Sequence, residues 1–259
     1  MELGGIYMNF KITDDKTKLD AVLSMPQKKD RPVPLCIIIH GFTGNKEERH
    51  LLAICDMMNE IGMATLRVDM YGHGLSEGEF RNHTLYKWFS NAIAVIDYVR
   101  KMPEISRIYL AGHSQGGLTA IMVGAMERDR ISGLLPLSPA LNIPEDTRGG
   151  SILGHYVDLD DIKDEYETDK PDYILGGNYI RVAQSVFPEE AMKAYEGEVL
   201  IVHGEDDRSV PIECVRNKVS HYKNCRFVSI PDETHCYDNH LDVVVKTIKD
   251  YILEKKWNE

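Results

Sequence analysis

The sequence predicts an α/β fold in which a mostly parallel sheet is covered by helices on both faces. Short apolar runs, typical of strands buried on both faces, alternate with longer segments of helical periodicity. The length of 259 residues and the 43% hydrophobic and 27% charged composition are those of one globular domain, 1–259. The alternation is interrupted once, over residues 140–187, which indicates an insertion into that domain.

The first half of the chain predicts a hairpin followed by alternating strands and helices. Residues 5–12 and 18–25 alternate in polarity around a polar turn, as antiparallel strands do. The elements that follow are a strand at 35–41, a helix at 47–61, a strand at 63–69, a helix at 84–101, a strand at 106–111, a helix at 115–127 and a strand at 131–137.

The second half begins with the insertion and then returns to the same alternation. Residues 140–187 are acidic and rich in turn formers, and we expect them to form a cap over the carboxyl edge of the sheet, where α/β proteins bind ligands. The predicted elements after it are a strand at 198–204, a helix at 211–222, a strand at 225–230 and a helix at 239–255.

Composition excludes several classes of function. A net charge of −11 argues against a nucleic-acid surface, which needs a basic face. The longest apolar run, 35–39, is too short to cross a bilayer, and residues 1–10 lack the features of a signal peptide. Five cysteines without a C-x-x-C pair indicate reduced thiols in the cytoplasm. No spacing typical of a metal or nucleotide site is present, so we predict no metal and no cofactor.

A strand-to-helix corner carries the first candidate for chemistry. Residues 112–116 read Gly-His-Ser-Gln-Gly, which matches G-x-S-x-G between the predicted strand and helix. In such a turn a serine hydroxyl is exposed at the carboxyl end of the sheet, and both glycines are needed because space is short. We therefore predict that Ser114 is a nucleophile.

A serine nucleophile needs a base and an acid, which follow it along the chain in the order acid, then histidine. Asp207 lies midway between the strand at 198–204 and Pro211, which suits the start of a helix, and Asp206 is the neighbouring alternative. His235 follows the strand at 225–230 in a loop, and we assign it as the base.

The other histidines are interpreted as structural. His113 lies inside the elbow, and His40 and His203 end buried strands; the predicted helix-surface histidines are His50, His221 and His240. Cys236, beside His235, lacks an elbow and is interpreted as a small residue near the site.

An oxyanion hole requires two backbone N–H donors. The residue after the nucleophile, Gln115, supplies one, and Phe42 in the loop 40–44 after the first buried parallel strand is predicted to supply the other.

The whole chain resembles the α/β-hydrolase family and, within it, the bacterial cinnamoyl (feruloyl) esterases. Residues 177–184 and 234–238, Gly-Asn-Tyr-Ile-Arg-Val-Ala-Gln and Thr-His-Cys-Tyr-Asp, are the more specific matches. The other matching stretches are residues 40–44, 47–50, 69–76, 83–88, 112–117 and 137–140.

The resemblance implies hydrolysis of small hydroxycinnamate esters, such as ferulate or caffeate linked to sugars or quinate. It also implies that the insertion covers the acyl pocket and contacts the phenolic ring. By position, Asp146 and Tyr179 are candidates to bind the ring hydroxyl; a solvated carboxylate and a packed tyrosine are equal alternatives.

Two other functions stay open. A monoacylglycerol lipase or general short-chain esterase shares the catalytic residues, although a lipase lid is typically an amphipathic apolar helix and this insertion is acidic. A non-catalytic ligand receptor of the same fold usually lacks one catalytic residue, whereas all three have candidates here. A homodimer is compatible with the sequence.

Overall fold

Eight strands form the main sheet of the computed structural model, which describes residues 6–27 and 31–259. Residues 1–5 lie outside the described residues; they include the first residue of the predicted hairpin and half of the N-terminal segment, 1–10, that lacks the features of a signal peptide. The strands are β1 (Ile6–Asp14), β2 (Thr17–Met25), β3 (Val33–Ile39), β4 (Ala64–Val68), β5 (Ile105–His113), β6 (Gly133–Leu137), β7 (Ser151–Ile152), β8 (His155–Tyr156), β9 (Glu165–Tyr166), β10 (Leu175–Gly176), β11 (Glu198–Gly204) and β12 (Cys225–Ile230). The α-helices are α1 (Arg49–Glu60), α2 (Leu85–Val99), α3 (Gln115–Met126), α4 (Ile143–Arg148), α5 (Gly177–Ala183), α6 (Pro188–Ala194), α7 (Glu213–Arg216) and α8 (Leu241–Glu254).

The strand order in the main sheet is β1-β2-β4-β3-β5-β6-β11-β12. β1 pairs antiparallel with β2, and β2 pairs antiparallel with β4, while every pair from β4 to β12 is parallel. The predicted α/β fold with a mostly parallel sheet is confirmed. The carboxyl ends of β3, β5, β6, β11 and β12 therefore meet along one edge of the sheet.

Two apolar layers, one on each face, hold the helices to the sheet. Successive residues of β3 alternate between them: Ile37 packs in the layer that includes residues of α2, α3 and α6, and Ile38 in the layer of α1 and α8. Every residue of β3 is buried, which explains why its sequence is a continuous apolar run rather than an alternating one.

The predicted elements of the sheet and its long helices are present, with one error. The helix predicted over 211–222 consists of the short α7 and a separate 3₁₀ turn, Val219–His221. The sequence there contains Val, Asn and Ser, which are weak helix formers. In addition, the Lys218 side chain turns inward to pair with Glu145 at 2.6 Å and Glu189 at 2.7 Å.

Segment 140–187 contains two short helices, α4 and α5, and two small two-stranded sheets. The segment begins beside Ser114, whose carbonyl accepts a hydrogen bond from the N–H of Ala140 at 3.0 Å. Its two ends are tied together because Arg148 donates to the carbonyls of Gln184 and Val186 at 3.1 and 2.9 Å. None of the helices in the described part of the chain is long and apolar enough to span a bilayer.

Candidate active site

Ser114 occupies the sharp turn between β5 and α3. Its φ of 56° and ψ of −118° are strained values for a residue other than glycine. A Cβ atom on Gly112 would collide with the carbonyl of Gly116, and one on Gly116 would collide with the carbonyls of Ile39 and His40. The two glycines of the motif are required by this close approach of backbones, which presents Ser114 at the carboxyl edge of the sheet.

The loops after β11 and β12 bring an acid and a histidine to the same edge. His235 Nδ1 lies 2.7 Å from Asp207 Oδ2. This contact leaves Nε2 of the ring for another partner, and His235 and Ser114 line the same cavity. Among the described residues, no hydrogen bond joins the Ser114 hydroxyl to His235; such catalytic contacts are often long before substrate binds.

Asp207 is buried and held from four sides. Its Oδ1 accepts from the N–H groups of Ser209 at 3.0 Å and Val210 at 2.8 Å. Its Oδ2 lies 3.2 Å from His203 Nε2 in addition to the contact with His235. Burial alone would raise the pKa of Asp207, but the hydrogen bonds from His203 and His235 hold it well below its usual range. Asp207 is therefore ionised at neutral pH. Asp206, the neighbouring alternative, is exposed.

His203 is a structural residue, as the sequence suggested, but its contact with Asp207 was not predicted. The ring is fully buried, and Nε2 also lies 2.9 Å from the Val210 carbonyl. Because Val210 in turn donates its N–H to Asp207, the histidine fixes both the carboxylate and the loop that holds it.

The loop that carries His235 is organised by two residues that the sequence analysis missed. The buried carboxylate of Glu233 accepts from the N–H groups of Thr234, Asn239 and His240, at 2.7, 3.1 and 2.6 Å. The fully buried Tyr237 donates its hydroxyl to the Val202 carbonyl on β11 at 3.0 Å. A glutamate two residues before the histidine was visible in the sequence, but nothing local marked it as buried.

His113, next to Ser114, contacts the backbone of the loop that carries His235. Its Nε2 lies 2.8 Å from the His235 carbonyl. Burial, and then the nearby His50, lower the pKa of His113 well below its ordinary value, so the ring is neutral. The Nε2 atom must carry the proton, since a carbonyl can only accept, and Nδ1 is left as a lone pair.

Of the two residues predicted to supply the oxyanion donors, Gln115 follows Ser114 in the chain and Phe42 shares its cavity. Phe42 lines the cavity that Ser114 faces. Gln115 opens α3, where the first backbone N–H groups of a helix have no partner within the helix. The Gln115 side chain is buried, and its Oε1 accepts the Tyr179 hydroxyl at 2.6 Å.

The structure does not place Tyr179 where it could bind a substrate ring. The residue is fully buried, its hydroxyl is already bonded to Gln115, and its ring packs 5.7 Å from Phe42 and 5.0 Å from His83, measured between centroids. Of the two roles weighed in the sequence analysis, the packed tyrosine is the one found. Tyr179 thus contacts both Gln115 and Phe42, the two residues predicted to supply the oxyanion donors.

Asp146 also lies outside the set of described residues that line the cavity, and instead it orients a residue that does. The Nδ2 atom of Asn142 donates to Asp146 Oδ2 at 2.9 Å. Asn142 lines the cavity, and its Oδ1 atom is buried without a hydrogen-bond partner among the described residues. Asn142 was not identified from the sequence because an asparagine at the start of a short helix is usually a cap.

The cavity at Ser114 has a volume of about 330 Å³. Its walls come from the loop after β3, from the elbow, from the loops after β11 and β12, and from segment 140–187. The lining residues are Gly41, Phe42, Thr43, Gly44, Glu48, His113, Ser114, Ala140, Asn142, Ile143, Leu153, Thr168, Asp169, Lys170, Ser209, Val210, His235 and Cys236. Part of the segment predicted to form a cap therefore borders the cavity directly.

Cys236 lines the same cavity. Partial burial, followed by the nearby Glu48 carboxylate, raises the pKa of its thiol to about 11. At neutral pH the group is a thiol rather than the thiolate that a cysteine nucleophile requires.

One histidine was misplaced by the sequence analysis. His50, predicted on a helix surface, is only 3% exposed and faces His113, with ring centroids 4.3 Å apart. Helical spacing does not reveal this because the residue lies in the first turn of α1, against the elbow. His221 and His240 lie in the 3₁₀ turn before β12 and at the start of α8.

Comparison with known proteins identifies relatives that share this sequence and fold. A family model described as serine aminopeptidase, S33, matches residues 30–158, the half of the chain that contains Ser114. The structure of Est1E from Butyrivibrio proteoclasticus with ferulic acid bound is 50% identical in sequence, with a TM-score of 0.92 over 95% of this chain and 98% of that chain. The chain belongs to the α/β-hydrolase family. This α/β-hydrolase is a serine hydrolase, since both the family model and the Est1E likeness include the serine elbow.

More distant members of the family share the fold. The structure of mouse α/β-hydrolase domain-containing protein 10 has a TM-score of 0.73 at 16% identity, over 95% of this chain and 99% of that chain. Human protein ABHD12B is 24% identical over 238 residues, which are 87% of this chain. The matched region spans 62% of the length of ABHD12B.

Proposed function

We propose that this α/β-hydrolase is a serine esterase that cleaves hydroxycinnamate esters, with Ser114 as nucleophile, His235 as base and Asp207 as the acid that orients it. The observation that carries the proposal is the 50% identity, over nearly the whole chain, to a protein that binds ferulic acid. The cavity of about 330 Å³ at Ser114 supports it, because the nucleophile and the base line one binding space.

The first half of the reaction forms an acyl-enzyme. The Ser114 oxygen attacks the ester carbonyl while His235 Nε2 accepts the serine proton. Asp207, bonded to Nδ1 at 2.7 Å, keeps the proton of the neutral ring on that nitrogen and stabilises the imidazolium that forms. When the tetrahedral intermediate collapses, the ester bond breaks and the alcohol leaves with the proton from His235.

The second half releases the acid. Water enters the site, gives a proton to His235 and attacks the acyl carbonyl, and the bond to Ser114 breaks as the serine regains its proton. In both halves the carbonyl oxygen becomes negatively charged, and the backbone N–H groups of Phe42 and Gln115 are the donors that stabilise it. Loss of one such donor typically costs about 10²–10³-fold in kcat.

The cavity wall contains an acceptor suited to a phenol. The Asn142 Oδ1 atom is buried without a partner among the described residues, which costs about 1–3 kcal/mol. Its amide cannot turn freely because Nδ2 is held by Asp146. A phenolic hydroxyl is a donor that satisfies this atom, so Asp146 acts on the ring through Asn142.

The alternative enzyme is a monoacylglycerol lipase or a general short-chain esterase with the same catalytic residues. Segment 140–187 contributes polar Thr168, Asp169 and Lys170 to the wall beside apolar Ala140, Ile143 and Leu153, and this mixed lining suits a short aryl acid better than a long acyl chain. A hydrocarbon chain lying against these polar groups would remove them from water without replacing their hydrogen bonds.

A substrate panel tests the proposal. Methyl ferulate, caffeate, p-coumarate and cinnamate are compared with p-nitrophenyl esters of increasing chain length, and kcat/KM is measured for each. We expect the hydroxylated cinnamates to have the highest values. Highest activity on p-nitrophenyl esters of long chains, or on monoacylglycerols, would establish the alternative instead.

The Asn142→Leu substitution tests the ring contact. It should lower the ratio of kcat/KM for methyl p-coumarate to that for methyl cinnamate by roughly tenfold, equivalent to about 1.4 kcal/mol, because only the first substrate has a hydroxyl. Asp146→Ala, which frees the amide without removing it, should lower the ratio by less. Hydrolysis of p-nitrophenyl acetate is the control, and an equal loss on all three substrates contradicts the ring contact.

We also infer that the protein acts in the cytoplasm on small-molecule esters. All five cysteines are free thiols in the structure, which agrees with a reducing compartment.

A further inference from the structure

Three potential metal ligands converge behind the elbow. Glu48 immediately precedes α1, His50 lies in its first turn, and His113 ends β5. One ligand atom from each residue lies within 4.8 Å of the ligand atoms of the other two. The histidines are 3% and 2% exposed, while Glu48 is half-buried and lines the cavity at Ser114. The cluster is therefore enclosed on the protein side and reachable from the cavity.

Each of the three residues has a buried polar atom that is not used. Within residues 6–27 and 31–259, Glu48 Oε2, His50 Nε2 and His113 Nδ1 have no hydrogen-bond partner. The Nδ1 atom of His113 is a lone pair, because Nε2 carries the proton that is donated to the His235 carbonyl. The Glu48 carboxylate oxygen and the His113 Nδ1 lone pair are both acceptors and cannot satisfy one another. Each atom left in this state costs about 1–3 kcal/mol.

We propose that Glu48, His50 and His113 form a binding site for a divalent transition-metal ion, for which Zn²⁺ is the best match. Two imidazole nitrogens and one carboxylate are a donor set that Zn²⁺ prefers, whereas Ca²⁺ and Mg²⁺ prefer oxygen ligands. An ion at this point gives all three residues a partner at once, with the His50 proton on Nδ1 so that Nε2 can bind. It reaches them through the cavity, past Glu48.

The distances allow binding with a small contraction. Around a tetrahedral Zn²⁺ ion at 2.0–2.1 Å, ligand atoms are about 3.4 Å apart, so atoms within 4.8 Å of one another need to approach by at most about 1.4 Å. Glu48 supplies most of this movement, since its side chain is flexible and it is the least buried of the three residues.

The site touches both parts of the proposed catalytic apparatus. His113 holds the backbone of His235 through Nε2. The Glu48 carboxylate lies against the loop 40–44, where a Cβ on Gly44 would be 2.7 Å from both carboxylate oxygens. An ion that draws Glu48 and His113 together shifts the base and the oxyanion loop, and we expect its binding to lower kcat. This effect on kcat rests on the proposed esterase function, whereas metal binding does not.

Metal binding is tested directly on the full chain freed of metal by chelation. Co²⁺, which occupies zinc sites and absorbs visible light, is titrated into the wild type, and Zn²⁺ is then used to displace it. We expect one equivalent of Co²⁺ with a d–d spectrum that Zn²⁺ abolishes. Glu48→Gln, which keeps the shape of the side chain, and His50→Gln should each bind at least about tenfold more weakly.

Matched controls separate this site from others. His221→Gln removes a histidine outside the cluster, and Cys236→Ser removes the thiol in the cavity; both should bind Co²⁺ as the wild type does. Unfolding curves show whether each variant is folded. The proposal is overturned if the wild type takes up no Co²⁺, as expected when a protonated Glu48 donates to His113 Nδ1 instead. It is also overturned if Cys236→Ser abolishes binding, or if Glu48→Gln and His50→Gln both bind normally.

The activity measurement distinguishes the two proposals. Inhibition of ester hydrolysis by Zn²⁺ that is weakened in Glu48→Gln supports both. Specific Co²⁺ binding in a protein without esterase activity supports the metal site and rejects the proposed function.

Discussion

Replacing Asp207 by asparagine changes one oxygen to an NH₂ group at the point where the proposed acid contacts His235, the proposed base. The Asp207 Oδ1 atom accepts from two backbone N–H groups, those of Ser209 and Val210. An asparagine must keep its oxygen there, because its NH₂ group would face two donors. The NH₂ group then occupies the position of Oδ2 and points at His235 Nδ1, 2.7 Å away in the wild type.

This arrangement forces the wrong tautomer of the base. To accept from the new NH₂ group, His235 must give up the proton on Nδ1 and carry it on Nε2. The Nε2 atom then has no lone pair for the Ser114 proton. The same change in a serine protease lowers kcat by about 10⁴-fold with the geometry intact, and we expect a similar loss here, equivalent to about 5.4 kcal/mol of transition-state stabilisation.

The assay is steady-state hydrolysis of methyl ferulate at neutral pH, with thermal unfolding measured beside it. Asp206→Asn is the matched control because Asp206 is adjacent and exposed, and its activity should stay within a few-fold of the wild type. The proposed role of Asp207 is wrong if Asp207→Asn keeps more than about a hundredth of the wild-type kcat while remaining folded, or if Asp206→Asn is the more damaging variant.

Three further predictions concern other parts of the site. Ser114→Ala should fold normally and lose nearly all activity, and a fluorophosphonate should label the wild type once; labelling that survives the substitution contradicts the assignment. Tyr179→Phe leaves Gln115 Oε1 unpartnered, so kcat should fall up to about tenfold, and equally for methyl p-coumarate and methyl cinnamate; a loss confined to the hydroxylated ester would return Tyr179 to the ring. Burial, and then His73, lower the pKa of His83 to about 3 from 6.5 in the unfolded chain, so its neutral form stabilises the fold above pH 6.5 and this stability is lost as the pH falls towards 3. His83→Gln should therefore flatten the rise in the free energy of unfolding between pH 4.5 and 6.5 by about 2 kcal/mol, as measured by urea denaturation; an unchanged slope indicates that the ring is accessible to protons.

The parts of the molecule that the sequence predicts are those set by local chemistry. The continuous apolar run of β3 predicts a strand buried on both faces, and the glycines around Ser114 predict a turn too tight for a side chain. The structure contains both elements. The sequence places the acid loop, but the choice between Asp206 and Asp207 depends on which carboxylate turns back to the N–H groups two and three residues later. Asp207 does so.

The parts that the sequence misses depend on contacts between distant segments. The local sequence around His50 predicts a surface residue. It is buried because His113 of the elbow, 63 positions later in the chain, packs against it. Tyr179 matches a family motif, yet motif position does not tell whether its hydroxyl meets a substrate or the Gln115 side chain. Glu233 resembles any loop carboxylate because its three N–H partners come together only when the loop closes.

The bond between Tyr179 and Gln115 has a consequence for how such enzymes diversify. Segment 140–187 connects β6 to α6 and provides part of the cavity wall, which makes it an obvious unit to exchange when a new specificity is sought. The exchange is not chemically neutral, because the segment also carries the hydroxyl that holds the Gln115 side chain, next to Ser114, the proposed nucleophile. A graft that brings a new cavity wall without a donor for Gln115 Oε1 changes specificity and turnover together. Natural or engineered variants should therefore keep a hydroxyl at this position, or replace Gln115 in the same step.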